Sequence, residues 1–189
     1  MTASIFSDTT WIPPHQALNA WQPDARLRSW LLDPGSLTSR LRTFTDNFNV
    51  RVLRHAPGTL GADELSLMRL PANTDCQVRE VLLCDRQRPW VFARSIIPQA
   101  SDGLLLELQN IGTSPLGEAL FTHPGVTPGD FQLAAFNSLS KIATLNTKLT
   151  HTTQTLHGRR RVFWVKQAPV LVAEVFLSNA PCYNLNTKS

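Results

Sequence analysis

Three ionisable residues stand where the surrounding pattern calls for apolar ones. Side chains alternate between faces along a strand. In the strand-like run 77–84 (QVREVLLC), Arg79 shares its face with Val81 and Leu83. In 90–98 (WVFARSIIP), Arg94 shares its face with Trp90, Phe92 and Ile96. In 170–177 (VLVAEVFL), Glu174 shares its face with Val170, Val172 and Phe176, and the other face is wholly apolar. Burying a charge without a partner costs several kcal/mol or more, so each group needs a counter-charge, hydrogen bonds or a ligand. One reading is structural: one arginine pairs with Glu174, and the other pairs with Glu80 or surfaces at a sheet end. The other is chemical: two arginines and one glutamate leave a net positive pocket suited to an anion. Burial of a carboxyl favours its protonated form, which could act as a general acid, while an arginine close by opposes this.

Other candidates carry less. Arg159, Arg160 and Arg161 form a basic run that reads first as a solvated turn or strand edge and, as the lesser alternative, as an anion or nucleic-acid contact. His15, His55, His123, His151 and His157 share no metal-ligand spacing. Neither a glycine-rich phosphate loop nor a GxSxG motif is present. The five tryptophans are spread along the chain and read as packing residues, not as a base-stacking platform.

These residues need elements to hold them. The 77–84 and 90–98 runs flank a short polar connection and read as a hairpin, as do 161–166 and 170–177 around Gln167-Ala168-Pro169. Residues 48–56 read as a further strand and 131–135 as a short one. Residues 24–32 read as a helix with Leu27, Trp30 and Leu31 on one side. Asp33-Pro34-Gly35 turns the chain, and Ser36 caps a second helix. A second helical hairpin spans 103–109 and 115–121, with its hinge at Ile111-Gly112-Thr113. The first ~22 residues read as irregular, because prolines oppose helix and sheet there. The stretch 137–157 is Thr-rich and reads as a partly helical insertion. Residues from 178 on read as a frayed tail. Strands and helices thus group separately, which predicts an antiparallel α+β fold.

Composition sets the frame. The chain has 189 residues, 42% hydrophobic and only 17% charged, which excludes a disordered chain and suits a single domain over 1–189. A formal charge of +4 is too mild to indicate nucleic acid by itself. Three cysteines without metal spacing argue against a disulfide framework and for a reducing compartment. The N-terminus lacks a basic residue and an apolar run, and no stretch reaches the ~18 apolar residues of a membrane span. A cytoplasmic monomer without stable membrane insertion is expected.

Four blocks together resemble the chorismate lyase (chorismate pyruvate-lyase) family. They are 30–41 (WLLDPGSLTSRL), 78–98 (VREVLLCDRQRPWVFARSIIP), 108–122 (LQNIGTSPLGEALFT) and 158–177 (GRRRVFWVKQAPVLVAEVFL). The resemblance implies a single antiparallel sheet with helical-hairpin flaps over an internal ligand cavity. It implies elimination of pyruvate from chorismate to give 4-hydroxybenzoate, with no metal or organic cofactor. Arg79 would bind the aromatic carboxylate, helped by the backbone of Leu116. Glu174 would face the 4-hydroxyl, as catalytic group or orienter. Arg94 would suit the enolpyruvyl carboxylate. Leu37 matches a pocket position that the family usually fills with Met. The product would feed ubiquinone or plastoquinone synthesis. The segment 137–157 looks like extra length relative to the family, expected on a loop away from the pocket. The alternative is a non-enzymatic sensor of small aromatic acids, similar to the effector domains of winged-helix regulators. Only ~29 residues precede the first block, too few for a winged helix.

Overall fold

The computed structural model describes residues 4–100 and 103–183. Among these residues the chain builds one antiparallel sheet from β1 (Phe48–Pro57), β2 (Cys76–Asp85), β3 (Arg88–Pro98), β4 (Val126–Pro128), β5 (Gln132–Phe136), β6 (Leu156–Val165) and β7 (Ala168–Phe176). The order across it is β1-β2-β3-β7-β6, with β4 and β5 sharing the outer edge of β6. The two expected hairpins lie side by side, because β3 pairs with β7. Each turns on two residues: Asp85 pairs with Arg88, and Val165 pairs with Ala168. Such short loops need left-handed backbone, which Arg86 (φ 51°) and Lys166 (φ 56°) supply. The α+β fold read from the sequence is the fold observed.

Helices cover both faces. On one face lie α2 (Ala25–Leu31) with α3 (Leu37–Arg42), and α5 (Gly103–Gln109) with α6 (Leu116–Thr122). The first pair buries Leu27, Trp30, Leu31, Leu37 and Leu41 against Val81, Leu83 and Ala93. The second buries Leu108, Leu116 and Leu120 against Ile97, Phe163, Val170 and Val172. On the other face, α4 (Ala62–Met68) sets Met68 against Ile96, Val162 and Leu171. There too, α7 (Lys141–Thr150) sets Ile142 against a cluster with Phe92, Ala173 and Val175.

Three expectations change. The N-terminal stretch is not irregular throughout: α1 (Pro14–Trp21) opens on Pro14. The first helical turn needs no N–H from its leading residues, so a proline there is tolerated. The Thr-rich segment is partly helical as read, but its helix packs on the sheet and is not carried on a loop. Its threonine hydroxyls bond back to carbonyls one turn earlier, Thr144 to Ser140, Thr147 to Ala143 and Thr150 to Asn146. This satisfies the side chains inside a helix, so the Ile142–Leu145–Leu149 stripe decides. Asn146 also exchanges bonds with Ser178, Nδ2 to the hydroxyl and Oδ1 from the backbone N–H, both near 2.9 Å. Residues 178–183 therefore pack against the body, with Ala180 and Cys182 buried. Residues 184–189, the rest of the expected frayed tail, lie outside the described residues.

Candidate active site

Register gathers the charged groups into rows. One row across the sheet runs His55–Arg79–Ser95–Val172–Arg161, from β1 through β2, β3 and β7 to β6. The next runs Val81–Ala93–Glu174–Arg159. Both rows face the two helical hairpins. Arg79 and Glu174 thus lie on one face of the sheet, which strand register alone decides.

Arg79 is 2% exposed. Its Nη2 donates to the carbonyls of Gly112 (2.9 Å) and Ser114 (3.0 Å), in the α5–α6 connection. Gly112 takes a left-handed φ of 59°, which turns that connection. Its Nε is buried with no hydrogen-bond partner, and no carboxylate among the described residues forms an ion pair with it. Burial holds its pKa below the usual arginine range. A buried guanidinium with a spare donor and no counter-ion is costly to keep, unless an anion completes it. His55, across the strand, also has a buried, unpartnered Nε2. Burial and then the charge of Arg79 lower its pKa, which favours the neutral imidazole.

Arg94 does not join this site. Paired with Glu80 across β2–β3, it projects from the opposite face. Nη1 donates to Glu80 (2.7 Å), while Nε and Nη2 donate to the two oxygens of Glu64 in α4 (2.8 and 3.2 Å). Burial alone would lower its pKa, but the hydrogen bonds and charges of Glu64 and Glu80 outweigh that and raise it. The expectation that Arg94 receives a substrate carboxylate is corrected on this geometry, because two protein carboxylates already fill its fork. For this arginine the structural alternative holds.

The basic run is not a solvated edge. Arg159, Arg160 and Arg161 are all buried in β6 and alternate between faces. Arg160 points away from the site and bonds Asp63 (2.6 Å) and Gln132 (2.9 Å). Arg159 donates Nε to Glu174 Oε2 (2.8 Å) and Nη1 to the carbonyls of Trp30 and Asp33. Arg161 donates Nη2 to the carbonyl of Pro34 (2.8 Å) and stacks over Phe131, Phe163 and Phe121 at 4.3–5.0 Å. Burial, then the charge of Arg159, lowers its pKa to about 10, so it stays cationic near neutrality. Sequence reasoning kept anion contact for this run only as the lesser alternative and did not place Arg159 or Arg161 beside Glu174. The signal was available: placing the β6–β7 loop at Lys166-Gln167 and counting back sets Arg159 opposite Glu174.

The two flaps close over this face. Leu37, the first residue of α3, and Leu116, the first of α6, are each 3% exposed. Arg42 of α3 donates to both carboxylate oxygens of Glu118 in α6 (3.0 Å each), joining the flaps across the outside. Beneath them, Phe121, Phe131, Arg159, Arg161, Val172 and Glu174 line a cavity of about 10 Å³. That is room for about one water and too little for a ring. A roomier cleft of about 710 Å³ opens beside α4, lined by Thr59, Leu65, Asn73, Asp75 and Gln99 among others. No arginine lines it, and it lies apart from the charged rows.

Comparison with known proteins gives concordant results. The family model for chorismate lyase matches residues 5–188. A probable chorismate pyruvate-lyase of Shewanella frigidimarina is 41% identical over 180 residues, covering 85% of each chain. One of Idiomarina loihiensis is 37% identical over 176 residues, covering 92% of this chain and 88% of its own. Among solved structures, the PhnF C-terminal domain superposes with a TM-score of 0.57 at 9% identity, over 77% of this chain and 90% of that one. A GntR-family transcriptional regulator from Bacillus cereus gives 0.52 at 8% identity, over 70% and 93%. These two likenesses concern the fold alone.

Proposed function

The chain belongs to the chorismate lyase family, and from that premise we propose that it eliminates pyruvate from chorismate to form 4-hydroxybenzoate on the face that carries Arg79 and Glu174. The carrying observation is Arg79, a buried cation whose Nε lacks a partner and whose neighbours offer no carboxylate. A ring carboxylate supplies both. The backbone N–H of Leu116 lies just beyond the loop that Arg79 holds and adds a donor for the same carboxylate. Leu37 and Leu116 press on the ring from the two flaps.

Glu174 has a different part. With Arg159 donating to Oε2, it is an acceptor, and Oε1 takes the substrate's 4-hydroxyl. That anchors C4 beside the breaking C3–O bond. The C4 hydrogen then passes to the methylene carbon of the enolpyruvyl group. The enolpyruvyl C=C π pair forms the new C–H bond, the C4–H electron pair becomes the C3–C4 double bond, and the C3–O pair becomes the carbonyl of pyruvate. Atoms and charge balance without an added acid or base. Aromatisation drives the step, so the protein contributes orientation and exclusion of water. The product would go on to quinone synthesis, ubiquinone or plastoquinone.

The test is direct. Purified protein incubated with chorismate should release 4-hydroxybenzoate and pyruvate in equal amounts, well above the uncatalysed rate. Arg79→Met should weaken 4-hydroxybenzoate binding about 100-fold, as expected for losing a charged, buried hydrogen-bonding partner worth ~3 kcal/mol. Glu174→Gln should lower kcat more than it weakens binding. Tight 4-hydroxybenzoate binding without turnover would instead make this domain a sensor.

A further inference from the structure

Five arginines among the described residues are buried: Arg79, Arg94, Arg159, Arg160 and Arg161. Three of them are ion-paired, Arg94 with Glu64 and Glu80, Arg159 with Glu174, and Arg160 with Asp63. The other two, Arg79 and Arg161, form no ion pair among the described residues, and they lie in the same row on the same face. Chorismate carries two carboxylates. Resting on the lyase reading above, we propose that Arg161 is the second carboxylate subsite, holding the enolpyruvyl carboxylate while Arg79 holds the ring carboxylate.

Three features support this. The first is the donor inventory. Only Nη2 of Arg161 is used, by Pro34, and its Nε and Nη1 carry no hydrogen bond among the described residues. A carboxylate needs two neighbouring donors for a bidentate contact. The second is preorganisation. The Phe121, Phe131 and Phe163 rings lie 4.3–5.0 Å from the guanidinium carbon, which fixes the group in place without using its N–H donors. The third is the order of groups. Glu174 stands two residues beyond Val172, the cross-strand partner of Arg161, so Glu174 and Arg161 are diagonal neighbours. Arg79 is two strands away, across β3. In chorismate the ether at C3 adjoins the hydroxyl at C4, and the ring carboxylate lies across the ring at C1. The sequence Arg79, then Glu174 beside Arg161, repeats that order. The β3 residues between them, Ala93 and Ser95, carry small side chains.

The experiment compares ligands with and without the second carboxylate. Arg161→Met should raise the KM for chorismate and lower kcat/KM about 100-fold, while the Kd for 4-hydroxybenzoate changes less than threefold. Arg161→Lys should recover part of the loss. Arg79→Met, in contrast, should weaken both ligands. If Arg161→Met keeps wild-type kcat/KM, or weakens 4-hydroxybenzoate as much as chorismate, the assignment is wrong. A measurement on the unaltered protein stands beside it. 4-Hydroxybenzoate with a carboxymethoxy group at ring carbon 3 should bind at least tenfold tighter than its side-chain amide, and equal affinities overturn the proposal. Failure of the wild-type protein to convert chorismate would overturn the lyase reading itself, which separates the two outcomes.

Discussion

Charge pairing sorts the buried arginines of this protein by task. Arg94 directs a hydrogen bond from each of its three nitrogens to Glu64 or Glu80, and Glu64 in turn accepts from the Gly61 backbone and from the Ser4 hydroxyl. Arg94 therefore ties α4 and the N-terminal segment to the sheet. Removing it would strand a carboxylate that is 2% exposed. Breaking a buried ion pair in this way costs about 3–5 kcal/mol. Arg94→Met should lower the unfolding free energy by about that amount in denaturant titration, while the surviving folded fraction keeps its 4-hydroxybenzoate affinity. An equal loss of affinity would mean that the opposite face shapes the pocket. If Arg79 holds the ring carboxylate as proposed, it should behave in the reverse way, since its removal relieves a buried charge and takes away that contact.

The elements that matter most are the two helical hairpins. Each is short, six or seven residues per helix, so neither holds its shape without packing on the sheet. Their connections are gripped from below by the arginines of the site: Trp30, Asp33 and Pro34 by Arg159 and Arg161, and Gly112 and Ser114 by Arg79. A carboxylate that draws on these guanidinium groups thus alters what holds each flap. The outer tie, Arg42–Glu118, is exposed on both sides. Exposed pairs of this kind contribute roughly 0–1 kcal/mol. Arg42→Ala should therefore leave the melting temperature nearly unchanged and speed release of 4-hydroxybenzoate by about two- to fivefold in stopped flow. An unchanged off-rate would show that the flaps part elsewhere. Gly158, beside Arg159, shows how tightly β6 fits: an added Cβ would stand 2.8 Å from the backbone oxygen of Glu174.

At the scale of the whole molecule, one imidazole joins the ends of the chain to the sheet. His157 in β6 donates its backbone N–H to the Tyr183 hydroxyl (2.8 Å) and packs near the Trp21 ring of α1. Burial lowers its pKa, and burial together with Arg79 lowers that of His55. Both folded-state values lie below 6.5, so between those values and 6.5 the unfolded chain binds protons that the folded chain refuses. Stability is then fully present above 6.5 and lost as pH falls through the folded-state values. Denaturation midpoints should fall between pH 7 and pH 5, and His157→Gln should flatten that fall. A midpoint independent of pH over this range would show that neither histidine is held neutral. Among the described residues, no helix is long and apolar enough to cross a membrane, and Cys76, Cys84 and Cys182 are buried free thiols.

Much of this was legible in the amino-acid sequence, because period-two alternation alone reveals a charge on an apolar strand face. That pattern singled out Arg79, Arg94 and Glu174, predicted both hairpins, and placed Gly112 at a hinge. It carried the fold class as well, since hairpin loops force antiparallel neighbours. Alternation is a property of one strand, however. It cannot say which faces of different strands coincide, because that depends on register, and one residue of slip sends a side chain to the other side. Only the pairing of β2 with β3 and of β3 with β7 separated Arg94 from Arg79 and Glu174. Only the pairing of β6 with β7 brought Arg159 and Arg161 out of an apparently solvated run and into the site. The Thr-rich helix and the C-terminal residues were likewise decided by contacts distant in sequence, such as Asn146 with Ser178. The sequence by itself determined that buried charge must exist and of what kind; the tertiary structure decided which charges answer one another and which two buried arginines have no carboxylate partner among the described residues.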